Sequence, residues 1–414
     1  MRNRCACLAR IVVTVLAPMA LATAGFPAAS MGEAVVRIGV LNDGSGPYSD
    51  LSGRRSVAAA ELAVEDFAAA SPGGAPPFRV EILYGDHQNK PDVGAEIVRR
   101  WVDTEDVLAV VDVPNTSVAL AVNEIMRDRD RVFLGSSVAS SDLTGPKCAA
   151  TTVQWTFDTW ALAHANGSRI VAGGGDRWFF LTADYAFGHA LERDATAVVQ
   201  ENGGKVLGSV RHPLGTSDFS SFLVQAQGSG ANIIGLANAG TDAVTVIKQA
   251  REFGILNDGR SLAGLLVFLS DVHSLGLEAA QGLRLTEAFY WDLNDRTRDW
   301  SRRFADRVGG TMPTMNHAGV YSSILAYLGA VAAVGPDAGG TRVVDRMKES
   351  SIDDPLFGPV TIRSDGRAVH AMYQFRVKAP DQSTGPWDYY ALESTIPMEQ
   401  AFRPLAEGGC PLAK

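Results

Sequence analysis

Two hydroxyl-rich segments are the parts of this sequence best suited to bind a small ligand. They are Asn115-Thr116-Ser117 and residues 136–140 (SSVAS), and each lies between the end of a strand pattern and the start of a helical pattern. Hydroxyl groups and unpaired backbone N–H groups at a helix start can hold a carboxylate without a cationic side chain. The same residue types also cap helices, so a single residue is ambiguous. Two such segments at the same edge of a sheet favour a ligand site.

Three other loop residues could contact the same ligand. Tyr48 closes the turn-rich loop 43–48 after the first strand pattern, and Tyr185 lies in the matching loop of a later series. Asp242 begins a helical pattern within NAGTD, where it either accepts a hydrogen bond from a ligand ammonium or hydroxyl or caps the helix. Both interpretations stay open. An aromatic group near the first chain crossing is interpreted as core rather than as a ligand cage: Trp155, Phe157 and Trp160.

The sequence lacks the motifs of the common enzyme and metal sites. Gly44-x-Gly46 is followed by Ser49, where a dinucleotide fingerprint needs a third Gly or Ala. GxxxxGK[ST], HExxH, GxSxG and CxxC do not occur in the sequence. Three histidines could face a cleft but are interpreted as structural: His87, His273 and His317. We therefore predict a protein that is not an enzyme and that uses no cofactor and no metal.

The elements that must position these residues alternate between strand and helix patterns. Apolar strand patterns with intervening helical patterns predict two βα series of about four strands each. The fold class predicted from this order is α/β, with two doubly wound lobes. The predicted strands of the first series are residues 36–40, 78–84, 107–111 and 131–134. Those of the second are residues 178–181, 205–210, 233–236, 265–269 and 283–290.

The last part of the sequence has a different pattern. Residues 360–362 and 371–377 alternate in polarity around the turn Ser364-Asp365-Gly366, which predicts a hairpin. The Pro-rich residues 379–414 are predicted to be irregular.

The amino-acid composition indicates what class of protein this is. The chain has 414 residues, of which 46% are hydrophobic and 20% are charged, as expected for a globular protein of two or three domains. Its formal net charge of −9 disfavours nucleic acid as a partner.

The N-terminus predicts export. Residues 1–24 combine three arginines with an apolar run at 11–22 that is too short to span a membrane. Ala22-Thr23-Ala24 fits a signal-peptidase site, and cleavage at residue 30 is the alternative. After cleavage only Cys148 and Cys410 remain, and such a pair in an oxidising compartment predicts one disulfide. Two buried thiols are the alternative.

A series of segments then resembles a known family. The segments are IGVLNDGSGPYSDLSG, SSVASSDLT, LTADYAFGHAL, TDAVTVIKQAREFGI, LGLEAAQGLRLTEAFYWD, HAGVYSSILAYLGAV and FGPVTIRSDGRAVHAMYQFRV. In their order and coverage they resemble the periplasmic solute-binding proteins of branched-chain amino acid ABC transporters, the Leu/Ile/Val-binding group. The resemblance spans nearly all of the chain after the signal peptide.

The resemblance implies two lobes joined by three hinge crossings, with a ligand cleft between them. Lobe 1 is expected at 35–156 plus 291–350, lobe 2 at 157–290 plus 351–390, and a C-terminal tail at 391–414. The resemblance also implies a periplasmic monomer that delivers a small carboxylate to permease subunits in the inner membrane. A ligand-sensing protein for a membrane receptor, or an exported enzyme on the same scaffold, is the alternative function.

The resemblance also implies roles for single residues. The family's carboxylate-binding loops fall on Ser117, Ser137 and Ala139, its aromatic clamp on Tyr185, and its ammonium acceptor on Asp242. The family pattern has Glu where this sequence has Asp242, and it prefers Thr where this sequence has Ala139. These departures leave two ligand classes open, an amino acid and an aromatic acid.

Overall fold

The computed structural model describes residues 34–256 and 259–413, so the predicted signal peptide lies outside the described residues. The helices are α1 Arg55–Ala70, α2 Pro91–Thr104, α3 Thr116–Asp128, α4 Thr159–Ala172, α5 Ala186–Glu201, α6 Ser220–Gly228, α7 Thr241–Glu252, α8 Leu269–Leu275, α9 Leu277–Ala280, α10 Asp295–Arg307, α11 Met315–Val334, α12 Gly340–Glu349 and α13 Met398–Ala401. Short 3₁₀ turns occupy Pro72–Gly74, Ser141–Thr144, Pro380–Gln382 and Leu405–Glu407.

In the described part of the chain the strands form four sheets. They are β1 Val35–Asn42, β2 Arg79–Asp86, β3 Val107–Asp112, β4 Val132–Gly135, β5 Thr152–Gln154, β6 Arg177–Ala183, β7 Lys205–His212, β8 Ile233–Ala237, β9 Ser261–Gly264, β10 Arg284–Glu287, β11 Ile352–Asp354, β12 Gly358–Ile362, β13 Ala368–Val369, β14 Met372–Val377 and β15 Tyr390–Ile396.

The first lobe is built on a parallel sheet in the order β2-β1-β3-β4-β5. The central strand β3 is apolar along most of its length because helices cover both faces of a parallel sheet. Register places Ile38 beside Ile82 on one side and Ala109 on the other. Helix α11 packs on α1 and is mostly buried, which accounts for its apolar composition, although by length and composition it could cross a membrane.

The second lobe is built on a parallel sheet in the order β7-β6-β8-β9, with an antiparallel sheet β10-β14-β15 beside it. The chain passes between the lobes three times, after β5, after β10 and after β13. The structure is therefore α/β with two doubly wound lobes, as the sequence predicts. Strand β12 contacts α12 of the first lobe, and Arg367, just before β13, forms a parallel bridge with Gln154 of β5. The lobe boundaries at residues 156, 290 and 350 stay predictions.

A buried arginine joins two of these crossings. The Arg367 guanidinium donates to the carbonyl oxygens of Trp155 at 2.7 Å and Phe157 at 2.9 Å, and it lies 4.1 Å from the centre of the Phe402 ring. Burial lowers its pKa to about 10, so it stays charged at neutral pH. Arg367 thus links Phe402 of the C-terminal segment to the crossing at Trp155 and Phe157.

The disulfide prediction is confirmed. Cys148 and Cys410 are bonded, with a Cα–Cα distance of 5.7 Å. The bridge attaches the end of the chain to a loop of the first lobe. Arg403 supports it by donating to the Ser141 carbonyl oxygen at 3.1 Å.

Three local predictions were wrong. The strand expected at 265–269 is β9 at Ser261–Gly264, and residues 265–268 are buried without strand pairing. The hairpin turn is correct, but β12 pairs with β13, whereas residues 372–377 cross to the second lobe and pair with β10 and β15. The C-terminal region contains strand β15, so it is not wholly irregular.

Candidate functional site

A small cavity lies between the lobes, at the carboxyl ends of the strands of both parallel sheets. This is the edge at which open α/β sheets bind ligands. Its wall is mainly aromatic and aliphatic. The lining residues are Tyr48, Leu51, Pro114, Ser137, Ala139, Phe157, Tyr185, Phe187, Ala239, Leu266, Phe268 and Asn316.

Two tyrosines close this cavity from opposite lobes. Tyr48 follows β1, Tyr185 precedes α5, and their hydroxyl oxygens are 2.5 Å apart. Burial raises the pKa of both hydroxyls far above neutral pH, so both keep their hydrogens. One hydrogen lies between the two oxygens. The other hydroxyl hydrogen takes no part in this bond.

The backbone of the two lobes also meets beside the tyrosines. Thr241 donates its N–H to the carbonyl oxygen of Pro47 at 3.2 Å. Gly240 has φ +60°, and a Cβ at this position would lie 2.4 Å from the same oxygen. Only glycine fits both this backbone conformation and this distance. The structure is therefore the closed form of the cleft.

Ser137 lines the cavity, but its polar groups are already engaged. Its hydroxyl donates to the Asp112 carboxylate, and its N–H donates to the Asp112 carbonyl oxygen at 3.2 Å. Asp112 also accepts from Asn42 at 2.9 Å and from Ser52 at 2.7 Å. Burial raises the pKa of Asp112, whereas the hydrogen bonds that its carboxylate accepts lower it in part. Ser137 is thus oriented by a buried carboxylate of its own lobe.

The other hydroxyl-loop residues are placed differently from one another. Ala139 lines the cavity, and its carbonyl oxygen accepts from Thr159 N–H at 2.7 Å. Asn115 caps α3 by accepting from Val118 N–H at 3.2 Å. Neither Asn115 nor the half-buried Ser117 is among the described residues that line the cavity. Their ligand contacts stay a prediction, and the capping role of Asn115 is observed directly.

Asp242 is buried at the start of α7, and its carboxylate is turned to the backbone. Both oxygens accept from the Gly215 N–H at 3.1 Å. Burial raises the pKa of Asp242 to about 6, against the opposing hydrogen bonds from Gly215 and Thr216. His212 lies 3.9 Å away, but burial lowers its pKa, so it is uncharged at neutral pH. Asp242 does not line the cavity defined by the described residues.

Sequence reasoning missed most of the apolar wall. Phe157 and Trp155 are buried in the hydrophobic core, as their interpretation as core aromatics predicts, and Trp160 stacks on His164. Phe157 in addition lines the cavity, which that interpretation does not predict. Leu266 and Phe268 belong to the apolar run 265–269, which the sequence pattern predicts to be a strand. The signal that could have revealed them is an apolar run placed just after a strand end, where a loop is expected to be polar.

Asn316 was also missed. It lies in the first turn of α11, inside a sequence that reads as a buried apolar helix. A single amide at such a position was the available signal. No Asp, Glu, Lys or Arg of the described chain lines the cavity, so its polarity comes from hydroxyl and amide groups.

Comparison with known proteins agrees with this geometry. The model of the periplasmic binding protein family matches residues 35–385. The chain belongs to this family. A periplasmic binding protein from Burkholderia mallei has 45% sequence identity and a TM-score of 0.87, covering 92% of this chain and 99% of that one.

Two further relatives are named as amino acid binding components. A branched-chain amino acid ABC transporter periplasmic ligand-binding protein from Burkholderia xenovorans LB400 is 37% identical, with a TM-score of 0.80, and covers 92% of this chain and 100% of that one. A Leu/Ile/Val-binding protein homologue from Brucella melitensis is 24% identical over 91% of this chain and 94% of its own length.

Family membership sets the general role of this periplasmic binding protein. It implies a periplasmic location and the binding of a small molecule for an ABC transporter, which takes it up through a membrane permease.

Proposed function

We propose that this periplasmic binding protein captures a small aromatic carboxylic acid and delivers it to the permease of an ABC importer. The observation that carries the proposal is the cavity wall. It contains five aromatic rings, from Tyr48, Phe157, Tyr185, Phe187 and Phe268, and its polar groups are uncharged. Rings of this kind form a close apolar contact surface for another ring.

The orientation of the Asp242 carboxylate favours an aromatic acid over an amino acid as the ligand. An amino acid brings an ammonium group into the cleft, and a buried cation needs a carboxylate partner. Asp242 is the residue that the family pattern offers for this role, but both of its oxygens are turned to Gly215 N–H. A ligand without an ammonium group is compatible with that arrangement.

Uncharged hydrogen-bond donors at the cavity wall can bind the carboxylate of the ligand. The tyrosine pair has one hydroxyl hydrogen to donate, and Asn316 adds an amide N–H₂. Hydrogen bonds from neutral donors to a carboxylate are among the stronger ones in proteins. They allow an anion to be held without an arginine or lysine at the wall.

A branched-chain amino acid is the second candidate. The observation that favours it is the 37% identity to the ligand-binding protein from Burkholderia xenovorans, which is named as a branched-chain amino acid transporter component. In this case the Asp242 side chain would have to leave Gly215 and turn into the cavity.

Ligand release and a thermal-shift screen test the proposal. Small molecules released from denatured, purified protein should include an aromatic acid by mass spectrometry. In the screen, 4-hydroxybenzoate should raise the melting temperature more than leucine or phenylalanine. The matched control is 4-hydroxybenzyl alcohol, which keeps the ring and lacks the acid, and it should give a much smaller rise.

The outcomes distinguish the candidates. A rise with leucine alone would replace the aromatic acid by the amino acid. No rise with any of these acids would refute the carboxylate site altogether. Turnover of a bound acid by the purified protein would indicate an exported enzyme on this scaffold instead of a transport component.

A further inference from the structure

Asn316 has an amide whose hydrogen-bonding capacity is unused within the protein. Its side chain is 0% exposed and lines the cavity. Neither Oδ1 nor Nδ2 has a partner among residues 34–256 and 259–413. A buried amide without partners is destabilising, and such groups are rare in folded proteins. Its position at the cavity wall points to a partner that enters with the ligand.

The first turn of α11 holds this amide in place. Thr314 donates its hydroxyl to the Leu51 carbonyl oxygen at 2.7 Å, and His317 Nε2 donates to the Ser52 carbonyl oxygen at 2.9 Å. Burial lowers the pKa of His317 to about 3, so this imidazole is neutral and its Nδ1 accepts from Thr314 N–H at 3.0 Å. Thr314 and His317, two residues before and one residue after Asn316, are thus bonded to the loop after β1, which also carries Tyr48.

Two more residues with unpartnered hydroxyls approach the same helix. Ser136 Oγ and Thr156 Oγ1 are buried and lack partners in the described part of the chain. A Cβ at Gly319, one turn after Asn316, would lie 2.0 Å from Thr156 Oγ1 and 3.3 Å from the Ser136 carbonyl oxygen. The glycine allows these residues to approach α11 closely. The unpartnered Thr156 hydroxyl therefore lies against the same stretch of α11 that carries Asn316.

The other polar residues at the wall differ from Asn316. The Ser137 hydroxyl donates to Asp112, and the tyrosine hydroxyls bond to each other. Within the described residues, Asn316 is the side chain at the wall that keeps both a donor and an acceptor unpaired. A carboxylate can pair with its N–H₂ group, but it has no hydrogen to offer to Oδ1.

We propose that Asn316 selects ligands that carry a hydroxyl group in addition to the acid. A ligand hydroxyl donates its hydrogen to Oδ1, which a carboxylate alone leaves unpaired. A site built to hydrogen-bond a hydroxyl discriminates strongly against the analogue that lacks it, because its own polar group is then buried and unpaired. The inference rests on the proposed function and names the ligand subclass.

Calorimetric titration of benzoate and of 2-, 3- and 4-hydroxybenzoate tests this selection. The wild-type protein should bind at least one hydroxybenzoate about tenfold or more tightly than benzoate. In Asn316→Leu, which has a similar shape and no polar group, that ratio should fall to about one or reverse. Asn316→Leu without ligand should also melt at a higher temperature, because the unpaired amide is removed.

Asn166→Leu is the matched control. Asn166 is a buried asparagine in α4 whose Nδ2 also lacks a partner in the described chain, but it does not line the cavity. Its replacement should change stability and leave the hydroxybenzoate-to-benzoate ratio unchanged. If Asn316→Leu does not fold, Asn316→Ser provides the second variant, with a reduced ratio expected.

The results separate this inference from the proposed function. Benzoate binding as tight as that of every hydroxybenzoate in the wild type, or a ratio that Asn316→Leu leaves intact, overturns the selection by Asn316 and leaves the aromatic-acid function standing. Failure of the wild type to bind any of the four acids overturns the proposed function and this inference together.

Discussion

Replacing Asp242 by Asn should stabilise the protein at neutral pH. The carboxylate is buried, and its pKa is raised from 3.8 to about 6. Ionising Asp242 in the folded protein therefore costs about 3 kcal/mol more than ionising it in the unfolded chain. Asn keeps one oxygen that can accept from Gly215 N–H, so the main hydrogen bond can survive the change.

The pH dependence follows from the direction of this shift. Below pH 3.8 the carboxyl is protonated in both states and costs nothing. As the pH rises from 3.8 to 6, the unfolded chain ionises first, so the folded state loses relative stability, and above pH 6 the loss stays constant. Asp242→Asn should thus gain up to about 3 kcal/mol over wild type at pH 7.5, but only about 0.5 kcal/mol at pH 4.

Urea denaturation of both proteins at the two pH values measures this difference, with titration of 4-hydroxybenzoate and leucine in parallel. Glu252→Gln is the control, since it removes one charge from an exposed position on the same helix. Its stability should differ little from wild type at either pH. Binding of 4-hydroxybenzoate to Asp242→Asn should be unchanged or tighter, because one buried negative charge near the acid is gone.

Two results would refute this reasoning. A variant that is less stable than wild type at pH 7.5 would mean that the ionised carboxylate is well stabilised by its surroundings. Leucine binding by wild type that disappears in Asp242→Asn would identify Asp242 as the acceptor of a ligand ammonium.

Two further substitutions probe the closed cleft and the C-terminal attachment. Gly240→Ala should weaken ligand binding about tenfold or more, because its Cβ would meet the Pro47 carbonyl oxygen only when the lobes are closed. X-ray scattering should show that the variant is more open than wild type. Unchanged affinity and unchanged scattering would contradict this prediction. Replacing both Cys148 and Cys410 by Ser should lower the free energy of unfolding by about 3–5 kcal/mol, since the bridge closes a separation of 262 residues. Ligand affinity should stay the same, and a large loss of affinity would show that the bridge acts on the cleft.

Much of the fold could be predicted from local patterns. The alternation of β-branched residues in β1 and the helical spacing in α1 are properties of adjacent residues, so they are visible in the sequence. The disulfide followed from the number of cysteines and the predicted compartment. The two series of strands and helices then implied two lobes, because parallel strands need a covering helix between them.

The candidate site was predictable only in part. Tyr48, Ser137 and Tyr185 are predicted near a ligand because they follow strand ends, and Ala139 because of the family resemblance; all four line the cavity. Asn115 and Ser117 are predicted on the same grounds and are not among the described residues that line it. Asp242 follows the same rule, yet its carboxylate faces a backbone N–H of another loop. Position after a strand indicates the edge of the sheet, but it does not indicate which way a side chain points.

What the sequence by itself determined is the order of strands and helices, the export signal pattern and the cysteine pairing, since each depends on neighbouring residues or on composition. Only the tertiary structure decided which polar groups are free. Ser137 is occupied by Asp112 and Asp242 by Gly215, whereas the Asn316 amide is left unpaired at the cavity wall. The physical reason is that hydrogen-bond partners and burial come from residues far apart in the chain, which meet only when the lobes fold and close.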